Sequence, residues 1–189
     1  SAGSFAAVPA IGVLVGALHG WLVAYLGLQS LAVTIGSLIV CQGIALIILP
    51  APGGEVAEAI AYGVTGDFYG VPIAALILAG AALLWSVLKN TRRGIAIYAV
   101  GADESAARLS GLDVRATKVF AFVTAGICYA VAGFVHSAEI GSGDPRVSDS
   151  FLLFMFASVA IGGTSLTGGR RGVLGTLVGA GILTVMQKM

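Results

Sequence analysis

The sequence predicts an all-α, polytopic integral membrane protein, and three observations carry that expectation. Apolar residues make up 58% of the 189 residues and charged residues only 10%, where a soluble domain sits nearer ~45–50% and ~25%. The first 54 residues contain no Asp, Glu, Lys or Arg, so no water-facing surface can be built from them. Glycine occurs 28 times, about twice its usual ~7%, within otherwise apolar runs. In water glycine weakens a helix; in lipid it lets helix backbones approach closely.

A helix needs ~20 apolar residues to cross a hydrocarbon core of ~30 Å. Six stretches are candidate spans: 5–26, 31–49, 71–88, 119–137, 151–169 and 172–187. The third and sixth are short. The fifth ends in a run rich in Gly, Ser and Thr, a composition suited to an unwound or re-entrant piece. Only Gly27-Leu28-Gln29-Ser30 separates the first two, which predicts a tight helical hairpin. Residues 1–189 read as one transmembrane domain, expected to be part of a longer protein, with a polar loop at 89–118.

Charge orients the spans. Residues 89–118 carry six basic side chains (Lys89, Arg92, Arg93, Arg108, Arg115, Lys118) against three acids. Arg170 and Arg171 fall between the fifth and sixth spans. Residues 50–70 hold Glu55, Glu58 and Asp67 without a base, and 138–150 hold Glu139, Asp144 and Asp149 against Arg146. The positive-inside rule puts 89–118 and 170–171 in the cytoplasm and the two acidic loops outside. Strict alternation of six spans gives the same assignment.

Gly12, Gly16 and Gly20 recur every four residues, as do Gly175 and Gly179. Such spacing places each set on one helical face and predicts close helix crossings. On that reading Gly179→Leu destabilises and Gly179→Ala is milder.

Little in the sequence suits bond-making chemistry. Cys41 and Cys128 sit singly inside apolar stretches and read as small packing residues. His19 and His136 lie near opposite ends of different spans, with no ligand or carboxylate at metal or catalytic spacing, and read as interfacial polar caps. Gly163-Thr164-Ser165-Leu166-Thr167-Gly168 has phosphate-loop glycines, but Gly169 and Arg170 stand where that loop needs Lys and Ser or Thr. No catalytic residue, cofactor or metal is expected. Formal net charge of +1 argues against a nucleic-acid partner. No span carries Asp, Glu, Lys or Arg in its interior, which weakens a proton-coupled carrier. The polar in-span residues Thr34, Ser37, Gln42, Ser158 and Thr164 are candidates for lining a pathway, or for bonding a neighbouring helix.

The loop at 89–118 is the most informative segment. Asp103 can cap a helix, Glu104 to Ser110 can make two turns, and Gly111 supplies a stop. Ala106 and Leu109 share one face, with Ala107 beside them. A helix this short is marginal alone in water, so it needs a partner surface; the alternative is a solvated connector.

Three stretches, Gly20–Leu38 (GWLVAYLGLQSLAVTIGSL), Ala99–Val114 (AVGADESAARLSGLDV) and Ile161–Ala180 (IGGTSLTGGRRGVLGTLVGA), resemble permeases of ATP-binding cassette sugar importers of the ribose/xylose/galactose type. The resemblance runs from about Gly16 to the end. It implies that Asp103, Glu104, Ser105, Ala106, Ala107, Arg108, Leu109, Ser110 and Gly111 form a cytoplasmic coupling helix that docks on an ATPase subunit. Ser105-Ala106-Ala107 with Gly111 is similar to the family's Glu-Ala-Ala…Gly pattern. Ser105 replaces the acid, Asp103 stands where Asn is common, and Gln29 where Pro is usual. The long Gly-Thr-Ser-Leu-Thr-Gly-Gly-Arg run favours sugar over the related branched-chain amino-acid permeases. The resemblance further implies a second permease copy, an extracytoplasmic sugar-binding protein and a bacterial inner-membrane location. A non-ATP-driven channel or membrane scaffold is the other reading.

The charge pattern generates a direct test of orientation. Single cysteines at Glu58 and Asp144, in a background lacking Cys41 and Cys128, are expected to react with an impermeant thiol reagent outside intact cells. Cysteines at Glu104 and Arg170 are expected not to react, and labelling of that second pair would reverse the assigned orientation.

Overall fold

The computed structural model describes residues 2–54, 63, 66–68, 71–163 and 173–188. Glu58, Thr164 and the 164–172 run with Arg170 and Arg171 lie outside the described residues. Among those described, the elements are α1 (Ala2–Tyr25), α2 (Ser30–Ile48), β1 (Asp67–Phe68), β2 (Val71–Pro72), α3 (Ile73–Leu88), α4 (Arg92–Ala102), α5 (Glu104–Leu109), α6 (Val114–Ile140), α7 (Val147–Ile161) and α8 (Val173–Lys188). The two short strands pair antiparallel, Asp67 with Pro72 and Phe68 with Val71. The all-α expectation holds apart from this two-residue hairpin.

Three described helices are long and apolar enough to cross a membrane: α1 over Ala7–Tyr25, α2 and α6. Three shorter apolar stretches, Ala75–Leu88, Phe151–Ile161 and Gly175–Met186, fall within 71–88, 151–169 and 172–187. At ~1.5 Å per residue, the 27 residues of α6 reach about 40 Å. The 15 residues of α7 reach only about 22 Å.

Two boundaries differ from the sequence reading for local reasons. The helix of the fourth span starts five residues early because Asp113 caps it, its Oδ1 accepting from the Ala116 N–H at 3.0 Å. It stops where Gly141 turns left-handed at φ 74°. In the fifth span α7 ends at Ile161, followed by Gly162 and by Gly163 at φ 66°, and 164–169 lie outside the described residues. Residues 89–118 are not a loop either, since α4, α5 and the start of α6 occupy most of them.

The chain forms two compact units, Ser1–Trp85 with Asp113–Pro145, and Ser86–Leu112 with Arg146–Met189. The first is organised by α1 crossing α6. A methyl group at Gly12 would meet the Gly126 carbonyl oxygen at 2.6 Å and Ala130 Cβ at 2.7 Å; at Gly20 it would meet Val119 Cα at 2.7 Å. At Gly16 the obstacle is the Phe122 carbonyl, and at Gly126 it is the carbonyl of Gly12. The predicted glycine face is thus a seam where backbone touches backbone. His19 lies along it, its ring edge-on to Phe122 at 6.4 Å, rather than capping a span end.

Within this unit α2 has no buried residue. It is joined to α1 through a turn in which Gly27 takes φ 66°. Beyond its far end, Gly53 and Gly143 exchange two backbone hydrogen bonds of 3.1 Å each, tying the segment after α2 to the segment after α6. Cys41 and Cys128 are both exposed, so neither packs inside the chain as expected.

The second unit repeats the glycine device between α7 and α8. Gly162 and Gly175 pack backbone to backbone, and Gly179 lies against the carbonyl of Ser158. Even one methyl at Gly179 would meet that carbonyl, so Gly179→Ala already disturbs the crossing and Gly179→Leu disturbs it more. Gly181, two residues on, has open space around it. Gly179→Ala is expected to lower the midpoint of thermal unfolding, overpacking of a fitted site costing ~1–3 kcal/mol. Gly181→Ala is expected to be neutral or slightly stabilising, alanine being the better helix former. Equal midpoints for the two variants in a detergent melt would remove the seam.

Candidate functional site: a short capped helix

The segment from Thr91 to Leu112 is built from side chains that settle backbone groups locally. Thr91 caps α4: its Oγ1 accepts from Gly94 N–H at 3.2 Å and donates to the Leu88 carbonyl at 2.6 Å. Gly94 is buried with no room for a side chain, because the Leu88 carbonyl occupies that space. The chain then leaves α4 through Asp103, extended at φ −157° and ψ 109°.

Asp103 is a two-donor cap for α5. Its Oδ1 accepts from Ser105 N–H at 2.8 Å and from Ala106 N–H at 3.0 Å, satisfying donors that a helix start otherwise leaves open. The far end closes as a Schellman motif. Gly111 takes φ 78°, its N–H donates to the Arg108 carbonyl, and Leu112 N–H donates to the Ala107 carbonyl, both at 3.1 Å. Ser110 Oγ also donates to the Ala106 carbonyl at 2.9 Å. Glu104 and Arg108 pair across one turn at 3.6 Å with both side chains exposed, an arrangement that contributes little stability.

The two faces of α5 are unlike. Ala107 is only 4% exposed, whereas Leu109 is 91% exposed and Ala106 is also open. At about 100° per residue, Ala107 points some 160° away from Leu109. Ala107 is therefore turned inward, and Ala106 and Leu109 are left outward. The sequence reading had grouped all three.

The in-span polar residues separate. Thr34 Oγ1 donates to the Ser30 and Leu31 carbonyls at 3.0 and 3.1 Å, and Ser37 Oγ to the Thr34 carbonyl at 2.9 Å. On α2, Ser37 and Gln42 flank Thr34 and lie about 140° apart by helical geometry, so the three do not make one polar stripe. Ser158 is buried, its Oγ donating to the Phe154 carbonyl at 2.7 Å, and belongs to the α7–α8 seam. Thr164 lies outside the described residues.

Residues 2–189 match the family described as branched-chain amino acid transport system / permease component. The chain belongs to this family. The ribose import permease protein RbsC of Haemophilus influenzae is 36% identical over 179 residues, covering 92% of this chain and 55% of the relative. The D-allose transport system permease protein AlsC of Escherichia coli is 31% identical over 182 residues, 92% of this chain and 54% of that protein. The xylose transport system permease protein XylH of Haemophilus influenzae is 38% identical over 122 residues, 64% and 32% respectively. The chain thus spans about half the length of the curated relatives it matches. No solved structure matches it. As a member of this permease family with three membrane-length apolar helices, the chain is a polytopic membrane protein.

Sequence reasoning missed α4. Its signal was present in Thr91, a capping residue set just before the apolar run Ile95–Val100, but Arg92 and Arg93 made the segment read as loop.

Proposed function

We propose that the chain is part of the membrane-spanning subunit of an ATP-binding cassette importer and helps form the path of a monosaccharide. The observation that carries this reading is α5: a helix capped at both ends that leaves Ala106 and Leu109 outward. Six residues would fray alone in water, and an outward Leu on so short a polar element suits a groove on another protein. That protein is an ATPase subunit, which supplies the energy this chain has no residues to harvest.

The relatives' names support the cargo: ribose, allose and xylose are pentoses or hexoses. A second copy of the permease and an extracytoplasmic sugar-binding protein complete the assembly, in a bacterial inner membrane with 89–118 facing the cytoplasm. The chain itself performs no bond-making reaction. Thr34, Ser37 and Gln42, on a helix with no buried residue, are its pathway candidates. Ser158 holds the α7–α8 seam instead, and Thr164 is a pathway candidate on sequence alone. The family's description favours a second reading, a branched-chain amino acid as cargo. A ligand screen of the cognate binding protein separates the two.

The docking face makes its own prediction. Leu109→Glu and Ala106→Trp are expected to weaken co-purification with the ATPase by about 5- to 150-fold, the range for ~1–3 kcal/mol, and to abolish most sugar uptake. Neither touches a span, so insertion and yield are expected to hold. Ala107→Trp would disturb the permease itself and does not report on docking. Full association and uptake with Leu109→Glu would return α5 to a connector.

A further inference from the structure

The α1–α6 seam has an open end that does no work in the proposed import cycle. Along α6 the residues facing α1 run Ala130, Gly126, Phe122 and Val119, and the next position on that face is Arg115. Its guanidinium carbon stands 5.5 Å above the centre of the Tyr25 ring. Tyr25 is itself stacked on Trp21, centroids 6.5 Å apart and ring planes at 27°. Trp21 and Tyr25 are 49% and 56% exposed.

Position and chemistry agree on what meets this corner. α1 is apolar up to Tyr25 and breaks at Gly27, so its end marks the edge of the hydrocarbon. Trp and Tyr one turn apart are the residues that settle at headgroup depth. The cation–π contact engages the charge of the guanidinium and none of its five N–H donors, and Arg115 is exposed. Those donors form a planar fork that matches phosphate oxygens bidentately. Two charged residues neighbour Arg115 in sequence: Asp113, whose carboxylate is engaged in capping α6, and Lys118, one turn further along the helix. The platform holds the fork in place, so less side-chain freedom is lost on binding.

We infer that Arg115, set on the Tyr25–Trp21 platform, binds the phosphate of an anionic phospholipid headgroup at this end of the α1–α6 pair. In the orientation proposed above this is the cytoplasmic leaflet, the one richer in anionic lipid, but the site does not depend on which leaflet it faces.

The test uses the full permease assembled with its ATPase, delipidated in detergent and titrated with phosphatidylglycerol, phosphatidylcholine or inorganic phosphate under native mass spectrometry. Wild type is expected to retain phosphatidylglycerol in preference to phosphatidylcholine, and inorganic phosphate is expected not to displace it. Arg115→Gln is expected to weaken phosphatidylglycerol binding about five-fold, the loss of one interfacial cation. Should Arg115→Gln fail to insert, Tyr25→Leu carries the test, since it removes the platform and no charge and is expected to weaken the same lipid. Unchanged phosphatidylglycerol binding in the variant that inserts overturns the site. Displacement by millimolar inorganic phosphate would make it a site for free anions and overturn the lipid assignment.

Discussion

Helices in lipid gain nothing by hiding apolar surface from one another, because acyl chains are as apolar as leucine. What remains to hold this chain together is close approach, and close approach requires the absence of side chains. Gly12, Gly16, Gly20 and Gly126 bring α1 and α6 to backbone contact; Gly162, Gly175 and Gly179 do the same for α7 and α8. Dispersion between atoms falls off steeply with separation, so a single inserted methyl removes much of what the contact supplies. The buried interior of the described chain is correspondingly small-boned: Val23, Ala96, Ala107, Val114 and Ala138, with no large side chain fully enclosed. Leucine and isoleucine are widely exposed elsewhere, leaving apolar surface for lipid or for other helices to cover.

The functional features hang on these seams. α6 runs in one piece from its Asp113 cap to Gly141, and its seam with α1 fixes the level at which Tyr25 and Arg115 meet. Just before that cap, Leu112 closes the Schellman end of α5, so this short helix and α6 follow each other with almost no intervening chain. α2 behaves differently: it has no buried residue, and the Gly27 turn before it and the Gly53–Gly143 pair beyond its far end link it to the rest of its unit. Its length and apolarity suit a membrane span, and Thr34, Ser37 and Gln42 lie on it.

How much of this was legible beforehand follows from which signals are local. The membrane class, the three long apolar helices and the α5 caps were readable, because hydropathy, Asp103 and Gly111 act within a few residues of themselves. The glycine faces were readable as faces, but their partners were not: nothing local says that Gly16 meets Phe122 or that Gly179 meets Ser158. The direction of Ala107 was misread because three small or apolar residues in two turns carry no moment that distinguishes inside from outside. The end of α7 at Ile161 and the existence of α4 turned on Gly162-Gly163 and Thr91, punctuation that uniform apolarity and a pair of arginines outweighed.

The central claim is that α1 and α6 touch through their backbones along the Gly12–Gly16–Gly20 face. It is tested most directly by an experimental structure of the intact permease in a lipid nanodisc, with density resolved between the two helices at Gly16. The account predicts the Gly16 backbone in van der Waals contact with the Phe122 carbonyl and Val123, with nothing between them. A side chain or an acyl chain lodged in that gap would contradict it.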